Sequence, residues 1–264
     1  MRRYRLGDKD LDRQLEMLIA DAVGARSSHE HDKDLIAEML VSGLKLMQDD
    51  TDRGDLKLAN AALKELRYSF LIFSQYRHIR KVTMFGSART TPNDSNYQLA
   101  AEFASHMASL HQWMVITGAG PGIMEAGNLG AGIDHSFGVN IRLPFEAKAN
   151  SYIHESRLIN FKYFFTRKLM FIKESDAFVL FPGGFGTQDE AFELLTLIQT
   201  GKSDIQPIVL LEADGTGYWS SWLKFVRTLE DQGMISPEDR NLFTHTTKID
   251  EAADEILSFY RDYH

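Results

Sequence analysis

Three short apolar runs in this chain each end in a glycine turn that leads into a helical pattern. That arrangement constrains the fold more than any other feature. The turns are Phe85-Gly86-Ser87, Gly118-Ala119-Gly120-Pro121-Gly122 and Pro182-Gly183-Gly184-Phe185-Gly186-Thr187. Strand patterns at 82–86, 114–117, 137–143, 177–181 and 208–211 alternate with helical ones at 95–110, 123–133, 164–174, 188–199, 219–231 and 251–262. Such alternation predicts βα units on a parallel sheet, an α/β Rossmann-like fold that is doubly wound. Asp94 stands where it can cap the helix that begins at Ser95. The stretch from 144 to about 156 reads as irregular.

Glycine and proline divide the chain. Only 4 of the 19 glycines and none of the 6 prolines fall in residues 1–80. There, apolar side chains recur at three- and four-residue steps instead. Leu35, Ile36, Met39, Leu40, Leu44 and Met47 form one helical stripe; Leu56, Leu63, Leu66, Tyr68, Leu71 and Ile72 form a second, within 55–79. A weaker helical pattern lies at 9–23. The expected organisation is a helical extension, 1–80, followed by a Rossmann-like nucleotide-binding catalytic domain, 81–264. His29 and His31 flank an acidic stretch and read as part of an exposed loop.

Charge and cysteine usage exclude whole classes of function. The first 80 residues carry 14 basic and 14 acidic side chains, so the net charge of −8 falls entirely after them. Affinity for extended nucleic acids comes from Lys and Arg on phosphates, so no nucleic-acid partner is expected. The absence of cysteine excludes a disulfide framework, a thiolate metal site and a cysteine nucleophile. No apolar run approaches the roughly 18–20 residues that a membrane span requires. Met1-Arg2-Arg3-Tyr4-Arg5 leads into Asp8, Asp10 and Asp12 rather than an apolar stretch. A cytoplasmic protein with no membrane partner is the expectation.

The glycine turns themselves point to a small anion. Glycine lets the backbone approach a ligand closely, the N–H groups at a helix start point outward, and the helix dipole favours negative charge. Two common nucleotide signatures are absent. After Gly118-x-Gly120 the third place holds Ile123, not the glycine of the dinucleotide fingerprint. Gly201-Lys202-Ser203 resembles the end of a P-loop, yet the position five before Gly201 is Thr196. Thr187-Gln188-Asp189-Glu190 reads in two ways: as a capping box, with Glu190 reaching back to Thr187, or as a carboxylate facing the sugar of a ligand whose phosphate sits on the turn. Arg167-Lys168 places two cations at a helix start, against the dipole. A ligand phosphate or a partner carboxylate would resolve that conflict; a solvated pair is the alternative.

Pro182-Gly183-Gly184-Phe185-Gly186-Thr187-Gln188-Asp189-Glu190 matches the P-G-G-x-G-T-x-x-E signature of the Lonely Guy phosphoribohydrolases, a family long mislabelled as lysine decarboxylases. Gly118–Ala131 is similar to the family's glycine-rich first motif, Gly86-Ser87 to its opening strand end, and Arg167-Lys168 to its Arg-Lys pair. The resemblance covers about residues 80–250 and suggests the longer bacterial branch. It implies hydrolysis of the N-glycosidic bond of a nucleoside 5′-monophosphate to free base and ribose 5-phosphate. It also implies Arg167 and Glu190 as catalytic residues, and phosphate held by Gly184, Gly186 and Thr187 with help from Ser87. Gly86, Gly118, Gly120, Gly122, Met124, Glu125, Lys168, Met170 and Gly183 are the remaining expected ligand-facing residues. A homodimer or higher homo-oligomer is implied, with no metal and no cofactor.

The chemistry is consistent with that reading. An oxocarbenium-like sugar is stabilised by a nearby carboxylate that also positions or deprotonates water, a role for Glu190. Arg167 would fix the phosphate or offset charge on the departing base. One departure concerns the base. Plant-type members commonly carry methionine four residues after the arginine, whereas here Met170 stands three after and Phe171 four after. A plain purine or pyrimidine monophosphate therefore competes with a cytokinin nucleotide as substrate. The runner-up is a non-catalytic nucleotide-binding or cofactor-carrier protein on the same fold. Arg167 and Glu190 together favour the enzyme, because a binder needs the turns but not the pair.

Overall fold

The computed structural model describes residues 4–23, 32–142 and 149–262. His29 and His31 lie outside the described residues. The chain forms two compact units, Met1–Leu63 and Lys64–His264. In the first, α1 (Lys9–Val23) opens at Asp8, whose carboxylate accepts the backbone N–H groups of Asp10 at 2.9 Å and Leu11 at 3.1 Å. α1 packs on α2 (Lys33–Gln48), and the pair buries Ile19 and Val41. α3 (Arg53–Phe73) begins in this unit and ends in the second. Asp52 accepts the N–H groups of Gly54 and Asp55 at its start, which holds the Asp52 carboxyl below its ordinary pKa.

The second unit is built on seven strands, all parallel. In chain order it contains β1 (Lys81–Phe85), α4 (Ser95–His111), β2 (Met114–Thr117), α5 (Ile123–Ala131), β3 (Ser136–Ile141) and β4 (Leu158–Phe161). Then follow α6 (Phe164–Glu174), β5 (Ala177–Leu180), α7 (Phe185–Gln199), β6 (Ile208–Leu211), α8 (Tyr218–Asp231), β7 (Thr244–Thr246) and α9 (Ile249–Asp262). The sheet order is β4-β3-β2-β1-β5-β6-β7. The chain winds outward from β1 to β4, then returns to the other side of β1 to lay down β5. Strand order reverses between those two strands, and in open α/β sheets the crevice at that reversal is where ligands bind.

Both faces of the sheet are covered. Val82 and Met84 of β1 join Phe103 and Met107 of α4, Ala126 of α5 and Ile256 of α9 on one face. Phe85 points the other way, with Phe73 of α3, Phe171 of α6, Leu194 of α7 and Trp219 of α8. The switch within one strand is the period-two alternation of β structure. Burial on both sides is also why the central strands read as continuous apolar runs.

The elements differ from expectation at several points. β4 and β7 were not foreseen. β4 follows a 3-10 turn, Glu155–Arg157, and β7 is only Thr-His-Thr, with no apolar pattern to mark it. The 55–79 helix stops at Phe73 and a 3-10 turn, Ser74–Tyr76, follows. α7 begins at Phe185 rather than 188; its N-cap is Gly184, and no side chain caps it. Thr187 therefore lies inside the first turn, and the Thr187–Glu190 capping box does not form. Asp94 does cap α4, accepting the N–H of Asn96 at 2.8 Å.

Candidate active site

A cavity of about 760 Å³ opens at the carboxyl ends of β1, β2 and β5 and extends over the first turns of α6 and α7. Of the expected residues, Gly86 and Ser87 line it from β1, and Gly118, Gly120 and Met124 from β2 and α5. Arg167 enters from α6; Gly183, Gly184, Gly186, Thr187 and Glu190 come from the end of β5 and the start of α7.

The turns after β1 and β5 are locked together. The Ser87 N–H donates to the Pro182 carbonyl at 3.1 Å. A Cβ on Gly183 would meet the Thr187 hydroxyl at 2.1 Å, so that glycine is required by close packing. Gly184 and Gly186 are different. Neither has positive φ, and a Cβ on either would meet nothing within 4 Å. With Gly184 as an uncapped N-cap, the first-turn N–H groups of α7 and the positive end of its dipole are available to the cavity.

The turn after β2 is held by its own neighbours. The Thr117 hydroxyl donates to Asn128 Oδ1 at 2.6 Å and accepts the Ala119 N–H at 3.0 Å. Asn150 Nδ2 donates to the Gly120 carbonyl at 3.2 Å and to Asn128 Oδ1 at 3.0 Å. The first N–H of α5, from Ile123, goes to the Ser87 carbonyl at 3.0 Å. Ala119 sits in left-handed backbone at φ 62, completely buried. Gly122 has φ 70, and a Cβ there would lie 2.3 Å from the Ser87 carbonyl oxygen.

Arg167 Nε donates to the Val139 carbonyl at 2.9 Å, and the guanidinium lies 5.1 Å from the Phe171 ring. A Cβ on Gly118 would come within 2.5 Å of Arg167 Nη2, so this glycine makes room for the arginine. Lys168 is bound by Asp189 at 2.8 Å and Glu193 at 2.6 Å and does not line the cavity. Burial works against its charge, yet those hydrogen bonds leave its pKa raised. Glu65 accepts the Lys162 N–H at 2.9 Å and the Thr166 hydroxyl at 2.6 Å. Carboxylates from elsewhere in the chain thus answer the conflict of two cations at the start of α6.

Glu190 is 7% exposed, and burial pushes its carboxyl up to about 7, with Lys168 and Arg167 opposing and Glu193 and Asp189 reinforcing the rise. A carboxyl poised near neutrality can give and take protons at working pH.

Four expected residues lie outside the lining. Gly122 serves the contact between two turns, Glu125 is half-buried on α5, Lys168 is ion-paired, and Met170 is completely buried in the core beside Phe171. Tyr218 and Arg89 are among the residues at the site that escaped the sequence reading. The Tyr218 hydroxyl donates to the Gly183 carbonyl and accepts from Gln188 Nε2 at 2.7 Å. Its backbone N–H is held by the buried Glu212 at 2.6 Å, which also accepts from Trp219 and contacts His245. Arg89 lines the cavity beside Ser87, and its position two residues after the Gly-Ser turn was the available signal. Among the described residues no group of three or more His, Cys, Asp or Glu could hold a metal, and no helix is long and apolar enough to cross a membrane.

Comparison with known proteins bears on this site. The chain is 37% identical over 98 residues to probable cytokinin riboside 5′-monophosphate phosphoribohydrolase LOGL3 of Oryza sativa subsp. japonica, covering 37% of this chain and 44% of that protein. It is 36% identical over 97 residues to cytokinin riboside 5′-monophosphate phosphoribohydrolase LOG1 of Arabidopsis thaliana, covering 37% and 42%. The matched region thus spans less than half the length of these relatives. Among solved structures, the molybdenum cofactor carrier protein MCP of Chlamydomonas reinhardtii superposes with a TM-score of 0.48 at 20% identity, over 68% of this chain and 99% of that one. The family model described as "Possible lysine decarboxylase" matches residues 118–256, from the β2 turn through most of α9. With more than half of its length matched, the chain belongs to that family.

Proposed function

We propose that this protein hydrolyses the N-glycosidic bond of a nucleoside 5′-monophosphate, releasing the free base and ribose 5-phosphate. One observation carries the reading: a buried carboxyl poised near neutrality, Glu190, stands one turn above an uncapped, glycine-lined helix start in the same cavity as Arg167. The phosphate takes the α7 N–H groups beside Gly184, Gly186 and Thr187, where open space replaces the missing Cβ atoms. The sugar then lies towards Glu190. As the bond from C1′ to the base nitrogen breaks, positive charge builds on the sugar; ionised Glu190 stabilises it and takes a proton from the attacking water. The water oxygen ends on C1′ as a hydroxyl, and the proton taken by Glu190 passes on to the departing base nitrogen, which restores the carboxylate. Arg167, anchored on the β2–β3 side by Val139, faces the departing base.

A protein that only carries a nucleotide would need the turn but not a carboxyl held near 7 by burial. A homo-oligomer belongs to the same proposal; Phe164, Phe165 and Phe185, exposed by 50%, 53% and 97%, give it an apolar face beside the cavity. A cytoplasmic location is likewise proposed. The deciding experiment incubates the protein with a panel of nucleoside 5′-monophosphates and measures free base. Base release that depends on Glu190 is expected; no release from any monophosphate would overturn the proposal.

A further inference from the structure

The phosphate assigned to the α7 turn leaves a charge to be balanced. A phosphate monoester carries about −1.5 to −2 at neutral pH, whereas a helix start supplies only about +0.5. The other cations near the turn are committed. Lys168 is held by Asp189 and Glu193, and Arg167 is anchored to the Val139 carbonyl and seated against Gly118. The surrounding region is acidic, with the whole net charge of −8 arising after residue 80.

Arg89 remains. It lines the same cavity, is exposed, and its guanidinium makes no hydrogen bond or ion pair with any described residue. Its backbone is fixed: the Arg89 N–H donates to the Ser87 hydroxyl at 3.1 Å, and the Ser87 N–H in turn donates to the Pro182 carbonyl at 3.1 Å. A Cβ on Gly183 would stand 3.1 Å from the Ser87 nitrogen, so the root of Arg89 runs along the very turn that opens α7. A guanidinium presents paired N–H donors matched to two phosphate oxygens.

We infer that Arg89 is the side-chain clamp on the bound phosphate and thereby the residue that makes this site prefer a 5′-monophosphate to the corresponding nucleoside. The inference rests on the nucleotide reading of the cavity but not on the chemistry performed there. The backbone nest fixes where the phosphate sits; Arg89 supplies the charge that makes its presence count. Because Arg89 is exposed, its contribution is screened by salt.

The test is calorimetric binding of AMP and adenosine to wild type, Arg89→Met and Arg89→Lys at low and high salt, with base release from AMP followed in parallel. The expected result is that Arg89→Met weakens AMP binding about tenfold, equivalent to about 1.4 kcal/mol, and narrows the AMP-to-adenosine ratio by the same factor. Its AMP affinity also varies less with salt than that of wild type, and Arg89→Lys recovers part of the ratio. An unchanged ratio in Arg89→Met overturns the inference, whether AMP binds as in wild type or both ligands weaken together. Wild-type base release alongside an Arg89-independent ratio removes the clamp and leaves the glycosidase. An Arg89-dependent ratio without base release from any monophosphate does the reverse.

Discussion

The two longer glycine turns, after β2 and after β5, look alike in sequence and do different work. Gly118, Gly120 and Gly122 all face the protein's own atoms: the ends of the Arg167 and Met124 side chains lie against the first two, and the Ser87 carbonyl, which cannot give way, demands the third. Thr117, Asn128 and Asn150 take up the polar groups around them, and the first N–H of α5 is already bonded. After β5, by contrast, Gly184 and Gly186 face open space, need no special backbone angle, and begin a helix that nothing caps. A glycine that its own structure does not require leaves room for something else. The β2 turn builds the wall that seats Arg167; the β5 turn offers the space in which the proposed phosphate would sit.

The sharpest way to test that division is at Glu190, which belongs to the β5 side alone. Glu190→Gln keeps the shape and removes the proton acceptor, so kcat for base release should fall by roughly 10²–10⁴ with nucleotide affinity little changed. In wild type, kcat should rise as pH climbs through about 7, because the base acts ionised. Stability moves the opposite way. With the folded pKa raised from 4.5 to about 7, the folded protein holds a proton that the unfolded chain has released across that window. Stability is therefore lost as pH rises through it, by about 3 kcal/mol at roughly 1.4 kcal/mol per unit. Glu190→Gln should melt above wild type at pH 8 and lose that advantage at pH 4. Equal pH slopes in the two proteins would refute the burial argument.

A pair of alanine substitutions breaks the comparison directly. At Gly122 the φ of 70 and the 2.3 Å approach to the Ser87 oxygen combine backbone strain with overpacking. Gly122→Ala should cost about 3 kcal/mol of stability. Gly184→Ala meets neither obstacle and should stay within about 0.5 kcal/mol of wild type, while weakening AMP binding because the methyl enters the phosphate's space. Urea unfolding and AMP titration of both variants decide it. If Gly184→Ala unfolds early and still binds AMP, the two turns are not different in kind.

How much of this was visible in the sequence follows the range of the interactions involved. The βα rhythm was legible because buried strands and helix stripes are local patterns, and 114–117, 164–174 and 208–211 match β2, α6 and β6 residue for residue. β7 was not, because Thr244–Thr246 pairs at the sheet edge without any apolar alternation of its own. The start of α7 was placed three residues late, because Thr187 and Glu190 carry the local signature of a capping box. Burial, opposed by the charges of Lys168 and Arg167 about twenty residues back in the chain, gave Glu190 another environment. The carboxylate at the start of α6 was more remote still: Glu65 reaches Lys162 and Thr166 across about a hundred residues. Met170, grouped with the ligand by its distance from Arg167, is completely buried in the core, as is Phe171 beside it.

Tyr218 gives the smallest and most specific test of the β5 turn. Its hydroxyl is the one polar tie seen between α8 and that turn among the described residues, donating to the Gly183 carbonyl while accepting from Gln188. Glu212 fixes the tyrosine from behind through its backbone N–H. Tyr218→Phe keeps the ring, whose edge packs on Trp219, and deletes only the hydroxyl. The loss is a hydrogen bond of about 1 kcal/mol, so the melting temperature should fall by only a few degrees. A purely structural tie would stop there. If the hydroxyl also holds Gly183 and Gly184 in register for the phosphate, KM for AMP should rise severalfold with kcat nearly constant, because the turn binds ground state and transition state alike. Among the described residues no hydrogen bond joins Tyr218 to the β2 turn, so the Gly122→Ala and Tyr218→Phe losses should come close to adding in stability. Tyr218→Phe and Gly184→Ala act on the same turn and should fail to add in AMP affinity. Additivity in both measurements would mean that Tyr218 braces α8 alone and leaves the phosphate turn to set itself.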